Sequence, residues 1–164
     1  MTSTTTTTNE TRIEADPNLP TIRIVRDFNA PRSRVFRAWT DPELVARWLG
    51  PKSTTMRIEE WNARTGGSYR YSAWRDDQEL ARFYGSFHEV RPDERLVQTF
   101  TFEGVPDGVS LETVTFEDLD DGRTRVTALS VVDSMEARAA VLTSGMDVGV
   151  IEGYEKLDAL LAED

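Results

Sequence analysis

A single histidine, His88, and the absence of cysteine leave this 164-residue chain few routes to chemistry. A thiol nucleophile, a disulfide and a thiolate metal site are excluded, and one imidazole cannot build a multi-histidine transition-metal site. A Ser-His-Asp triad is formally available, but no nucleophile-elbow motif accompanies it, so His88 is expected to be structural or at the surface. Carboxylates are too abundant to single out by number. Glu112 and Glu117 fall on opposite faces of one segment if it is a regular strand, so at most one points inward. An inward Glu in an apolar cavity would have a raised pKa and could act as a general acid or base. Glu59, Glu60, Asp118 and Asp120 are expected to be solvated. Arg70 and Arg125 could anchor an anionic ligand, with outward-facing positions as the default. No carboxylate spacing resembles an all-oxygen cation site, so neither metal nor cofactor is expected.

Binding is better represented than catalysis. Trp39 and Trp48 sit in two short apolar-periodic segments. Tyr69 and Tyr71 share one face of a strand, as do Gln98, Phe100 and Phe102 on another. Tyr and Trp carry a polar atom that needs a partner when buried, which suits them to orient a ligand in an apolar pocket. The plainer alternative is that they fill the core, above all Trp39 and Trp48. Near the chain end, Gly145, Gly149 and Gly153 recur every fourth residue along one helical face, each costing about 1 kcal/mol relative to alanine inside a helix. Either the helix packs closely there or space is left beside it. With Met146 and Val150 flanking the stripe, Gly149 is expected to line open space.

The elements that must position these residues are legible from punctuation. Thr21 opens an alternating strand over residues 21–28, with Ile22, Ile24 and Arg26 on one face. Pro31 suits the start of a short helix over 31–39, and Asp41-Pro42-Glu43 caps a second one, stopped by Gly50-Pro51. Six further strands are expected near 54–61, 67–75, 81–91, 95–103, 110–118 and 123–132, separated by Gly66-Gly67, Asp76-Asp77, Pro92-Asp93, Pro106-Asp107-Gly108 and the hairpin signal Asp121-Gly122. Short connections imply an antiparallel meander. Asp133 or Ser134 then caps one long helix running to the chain end. The sum is an α+β domain over residues 21–164: a seven-stranded antiparallel sheet wrapped around a long C-terminal helix, with two short helices after the first strand. Residues 1–20, Thr-rich and closed by Pro17 and Pro20, read as a disordered, dispensable tail.

Composition narrows the partners. With 29 acidic against 19 basic residues the net charge is -10, which disfavours phosphate backbones and anionic lipid surfaces, so neither nucleic acid nor membrane insertion is expected. There is no signal-peptide pattern and no membrane-length apolar run, which points to the cytoplasm. A homodimer is left open.

Several stretches carry a resemblance. Ala30-Pro31, Val35-Phe36, Ala38-Trp39-Thr40-Asp41-Pro42 and Trp48-Leu49-Gly50-Pro51 look like the opening helices of a bacterial family related to the activator of the heat shock protein 90 ATPase. Gly66 to Tyr71, the hairpin Gly85 to Val97, and Ser144-Gly145-Met146 with Gly149, Tyr154 and Leu157 resemble its later elements. The family lies within the START, birch-pollen-allergen and polyketide cyclase (SRPBCC) superfamily. The resemblance implies a helix-grip fold with a cavity between sheet and terminal helix, but no particular reaction. Three functions follow: binding of a small hydrophobic or aromatic molecule, a cyclase- or dehydratase-like enzyme using the same cavity, and a co-chaperone-like interaction module. The first is preferred. Its candidate residues are Trp39, Trp48, Tyr69, Tyr71, Gln98, Phe100, Met146, Gly149 and Val150.

Overall fold

The computed structural model describes residues 9–163. Arg12–Ala15 (β1) pairs with Thr21–Phe28 (β2), and two short helices follow, Arg32–Thr40 (α1) and Pro42–Trp48 (α2). Then come Thr55–Trp61 (β3), Ser68–Arg75 (β4), Gln78–Arg91 (β5), Arg95–Phe102 (β6), Ser110–Asp118 (β7) and Thr124–Val131 (β8), and finally Met135–Leu142 (α3) and Met146–Leu161 (α4). All strands join one antiparallel sheet in the order β1-β2-β8-β7-β6-β5-β4-β3. No helix among the described residues is long and apolar enough to cross a membrane.

Turn chemistry explains the meander. Asp121 and Gly122 both have positive φ, 70° and 71°, which lets the β7–β8 turn follow the twist of its strands. Asp41 accepts a hydrogen bond from the Glu43 backbone N–H at 3.0 Å and Pro42 occupies the first turn of α2, as its sequence demands. Residues alternate cleanly on β2: Ile22, Ile24, Arg26 and Phe28 are buried, while Arg23 is exposed and Val25 and Asp27 are half-buried.

Two expectations need correction. The sheet has eight strands, not seven, because β1 lies inside the segment expected to be tail. That strand follows no strong alternating pattern. It forms because the β2 edge offers unpaired backbone groups, and the Arg138 guanidinium then accepts nothing but donates to the backbone oxygens of Asp16 and Leu19, tying the following loop to α3. The Thr-rich residues 1–8 lie outside the described residues.

The terminal helix is also not continuous. Ser134 caps it by accepting from the Ala137 N–H at 3.0 Å, but the chain breaks at Thr143 to Gly145, where Gly145 adopts φ 88°. Gly145 therefore belongs to a left-handed bend rather than to a helical stripe. The other two glycines face the loop after α2, not the sheet. A Cβ on Gly153 would lie 3.0 Å from the Trp48 carbonyl oxygen and 3.4 Å from Gly50 backbone atoms, whereas one on Gly149 would meet only Pro51 Cδ, at 3.6 Å. Gly149 thus neither lines open space nor permits a close approach. Opposite responses are expected: Gly149→Ala should stabilise by about 0.5–1 kcal/mol through helix propensity, while Gly153→Ala should destabilise by about 1–3 kcal/mol through crowding against Trp48. Thermal melts of the two variants check this; a stabilising Gly153→Ala would show that α2 and its loop yield without cost.

The core follows from this layering. α4 contributes Tyr154, Leu157, Leu160 and Leu161 to a buried cluster with Ile22, Ile24, Phe28, Val114, Phe116 and Val126 of the sheet and Val35, Phe36 and Trp48 of α1 and α2. A second cluster, on the far half of the sheet, is built on Tyr69, Tyr71 and Phe87 with Trp61, Phe83 and Phe100 against it.

Candidate functional site

Strand register decides which side chains meet. On the inner face, one row runs Arg26, Val126 and Phe116, and the next runs Ile24, Ala128, Val114 and Leu96. These rows are closely filled: apart from Ala128, every member is at most 6% exposed. The following row reads Ile22, Ser130, Glu112, Gln98 and Phe87, and the one beyond it pairs Ser110 with Phe100. Here Ser110, Glu112, Gln98, Phe100 and Ser130 all keep part of their surface accessible although they face inward. Above them Val141 and Leu142 of α3 and Met146 and Val150 of α4 are likewise only half-buried. The helices cover this end of the sheet without filling it, because the chain bends at Gly145 and α3 has no buried residue. These part-buried side chains leave a less closely covered stretch, a hollow, on the inner face of the sheet beside the α3–α4 bend.

Glu112 is the one acid in this row. Burial raises its pKa from 4.5 to about 7, a rise partly offset by the hydroxyls of Ser130 and Ser110. Ser130 Oγ donates to Glu112 Oε1 over a long 3.4 Å. Beside it the Gln98 amide reaches the Tyr69 hydroxyl at 3.4 Å, and that hydroxyl donates to the Thr99 carbonyl at 2.5 Å. Burial, with the Glu112 charge second, pushes the ionisation of Tyr69, Tyr71 and Tyr154 upward, so all three stay neutral phenols.

The wall on the β4–β6 side is a ladder of near-parallel rings. Tyr69 and Tyr71 are 6.2 Å apart at 17°, Tyr71 and Phe83 5.1 Å apart at 27°, and Phe83 and Phe100 5.3 Å apart at 22°. Gly85 makes room for it: a Cβ there would sit 2.6 Å from the Tyr69 oxygen.

The nine expected site residues therefore divide. Tyr69, Tyr71, Gln98 and Phe100 share one wall. Met146 and Val150 lie on the helical cover, packed against the larger core. Gly149 faces Pro51. Trp39 and Trp48 belong to an aromatic plug with Phe28, Phe116 and Tyr154 at the closely packed end; their rings are 4.7 Å apart, and the Trp48 indole N–H donates to the Ala38 carbonyl at 2.8 Å. Sequence reasoning left Glu112 undecided and passed over Ser110, Ser130 and Tyr154. The signal was present for the first three, since alternate positions of β7 and β8 place polar side chains among apolar ones, but the inward face was not identifiable without the register.

Two depressions on the protein's exterior hold none of the nine. One of about 280 Å³ at the β1–β2 edge is lined by Asn9, Glu10, Arg12, Val25, Arg26, Asp27 and Arg125. The other, about 390 Å³, lies on the outer face between His88, Glu89, Arg95, Val97, Leu111 and Thr113. His88 is exposed on the bulge between Phe87 and Glu89. Arg125 pairs outward with Asp27 at 2.8 Å, and Arg70 with Glu103 at 3.1 Å. These grooves are open and lined largely by charged and polar side chains.

Over residues 29–162 the sequence matches the family described as Activator of Hsp90 ATPase homolog 1-like protein. No curated protein matches it. A protein from Arthrobacter aurescens, solved by NMR, is 30% identical, with a TM-score of 0.84 over 93% of this chain and 92% of that one. Ms6760 from Mycobacterium smegmatis is 26% identical, with a TM-score of 0.83 over 93% and 97% of the two chains. DynU16, a protein in the dynemicin biosynthetic locus, is similar in fold: 22% identity, a TM-score of 0.66, and coverage of 87% of this chain and 47% of DynU16.

Proposed function

This chain belongs to the activator of Hsp90 ATPase homolog 1-like family, and from that premise we propose that its inner hollow binds a small apolar or aromatic molecule, the protein acting as a cytoplasmic carrier or sequestering protein. One observation carries the reading: the inward-facing row of Gln98, Glu112 and Ser130 stays partly accessible, while the row of Ile24, Val114 and Leu96 beside it is closely packed. Apolar walls with a few convergent polar groups are what ligand pockets are made of. The aromatic ladder from Tyr69 to Phe100 supplies flat contact area, and the polar row supplies orientation.

A cyclase- or dehydratase-like reaction is the second reading. Glu112, titrating at about 7, has the pKa that a general acid–base needs at neutral pH. Binding must precede such a step, so the same test addresses both.

That test is uptake of a neutral, environment-sensitive naphthylamine dye. Wild-type protein should bind it with a blue-shifted emission. Ser130→Leu, which fills the hollow beside Glu112, should weaken uptake by at least about tenfold with the melting temperature unchanged or higher. Equal uptake by wild type and variant would place the dye elsewhere and remove the basis for the hollow as the site.

A further inference from the structure

The charge on the wall of the hollow has no counterpart within the protein. Among the described residues no cationic side chain pairs with Glu112; its hydrogen-bonding neighbours are the neutral hydroxyls of Ser130 and Ser110. Four basic residues on adjoining elements have partners elsewhere. Arg26 of β2 binds Asp158 with both terminal nitrogens, at 3.0 and 2.5 Å. Arg125 of β8 points outward to Asp27, and Arg70 of β4 outward to Glu103. Lys156 of α4 turns to the carbonyls of Leu49 and Pro51, at 3.5 and 3.4 Å. The groups beside the carboxyl are Gln98 from β6, Ser130 from β8 and Ser110 from its own strand, and the phenols that feel its charge are Tyr69 and Tyr71 of β4 and Tyr154 of α4, all neutral.

A carboxylate desolvated in this way is costly unless it takes up a proton or a positive charge reaches it. The surroundings favour a cation over any other compensating group. The wall on the β4–β6 side is aromatic and carries no positive charge of its own, and the chain as a whole carries a net charge of -10, a field that gathers cations and repels anions. Tyr69, the phenol nearest to serving a neutral hydroxyl ligand, already spends its proton on the Thr99 carbonyl.

We infer that the ligand of this hollow is an aromatic or otherwise apolar molecule bearing a protonated amine, its ammonium paired with the Glu112 carboxylate and its apolar body along the ladder of Tyr69, Tyr71, Phe83 and Phe100. The inference rests on the ligand-binding reading above and adds the ligand's charge. Binding is then coupled to one proton. Glu112 must be ionised to pair with the ammonium, so affinity rises with pH as the carboxyl loses its proton near neutrality, while an alkylamine remains charged throughout.

Three probes that share one ring system separate the outcomes: a naphthylmethylamine, the corresponding naphthylmethanol and the corresponding naphthoate, titrated into the full-length protein by calorimetry at about pH 6 and about pH 8. The amine is expected to bind at least about tenfold more tightly than the alcohol at the higher pH, to weaken several-fold at the lower pH, and to exceed the naphthoate at both. Glu112→Gln, close to the same shape and uncharged, should bring the amine down to the level of the alcohol and abolish its pH dependence. Alcohol binding as tight as amine binding, or an amine preference that survives Glu112→Gln, overturns the inference while leaving the hollow as a ligand site. Failure of all three probes to bind the wild type overturns the ligand-binding reading as well.

Discussion

Asp158→Ala is expected to destabilise the protein by about 3 kcal/mol and to lower its melting temperature by roughly 6–12 °C. Arg26 is 2% exposed, on the inner face of β2, with its guanidinium 4.9 Å over the Phe28 ring. Its donors are taken by Asp158 at 3.0 and 2.5 Å, by the Asp27 carbonyl at 2.8 Å and by Thr11 Oγ1 at 3.3 Å. Among the described residues Asp158 alone supplies the opposite charge, and it comes from α4, so this pair pins the last helix to the sheet. Removing the carboxylate leaves a guanidinium that cannot deprotonate and has only neutral acceptors, the situation in which breaking a buried pair costs far more than the pair contributes. Asp158 itself has 36% of its side chain exposed, so water can enter the vacated place, which sets the loss at the lower end of the usual range. The double variant Arg26→Met/Asp158→Leu should regain most of the stability, because no charge is then left uncompensated. A loss below about 1 kcal/mol for Asp158→Ala would mean that Arg26 is adequately solvated in its place.

Glu112→Gln is expected to act in the opposite direction and only above mildly acidic pH. Folding raises the Glu112 pKa from 4.5 to about 7, so the folded state holds a proton that the unfolded chain has released. The stability associated with the protonated form is fully present below about pH 4.5 and is lost as pH rises through about 7. The difference between those two values corresponds to at most about 3 kcal/mol. Glutamine keeps the shape without the charge. The variant should therefore melt with the wild type near pH 4.5 and several degrees above it at about pH 8, the gap opening between the two. A gap that does not change with pH, or a wild type more stable than the variant at about pH 8, would show that the carboxylate is solvated in the folded state. The same residue thus carries a stability cost and the candidate ligand contact, the combination expected where function rather than folding selects a side chain.

Local signals were sufficient for most of the fold. The alternation Ile22, Ile24, Arg26, the cap at Asp41-Pro42 and the turn at Asp121-Gly122 each act over a few residues, and each element appears where such signals put it. A strand without a pattern of its own escaped this logic. Nothing local makes Arg12–Ala15 a strand; the open edge of β2 and the grip of Arg138 do. The helix break escaped for a similar reason. Gly145, Gly149 and Gly153 have one spacing but three situations: a left-handed bend, an ordinary contact with Pro51 and a close approach to Trp48. Spacing along a helix cannot reveal what lies opposite it.

The candidate site shows the same division. Its aromatic wall could be read from shared strand faces, since a period of two is a property of the backbone itself. Its centre could not. Glu112 and Glu117 are equivalent in sequence, and the choice between them depends on the pairing of β7 with β6 and β8, which puts Glu112 between Gln98 and Ser130 beneath the helices and leaves Glu117 exposed. Trp39 and Trp48, the aromatic candidates most expected to fill the core, lie in the filled end of the sheet. Sequence by itself determined most of the elements and the alternation of faces along their strands, because hydrogen-bonding periodicity and turn conformation are local. Only the tertiary structure decided which face is inward, where the interior is left unfilled and which carboxylate is enclosed without a partner, because those depend on register and on distances between residues far apart in the chain.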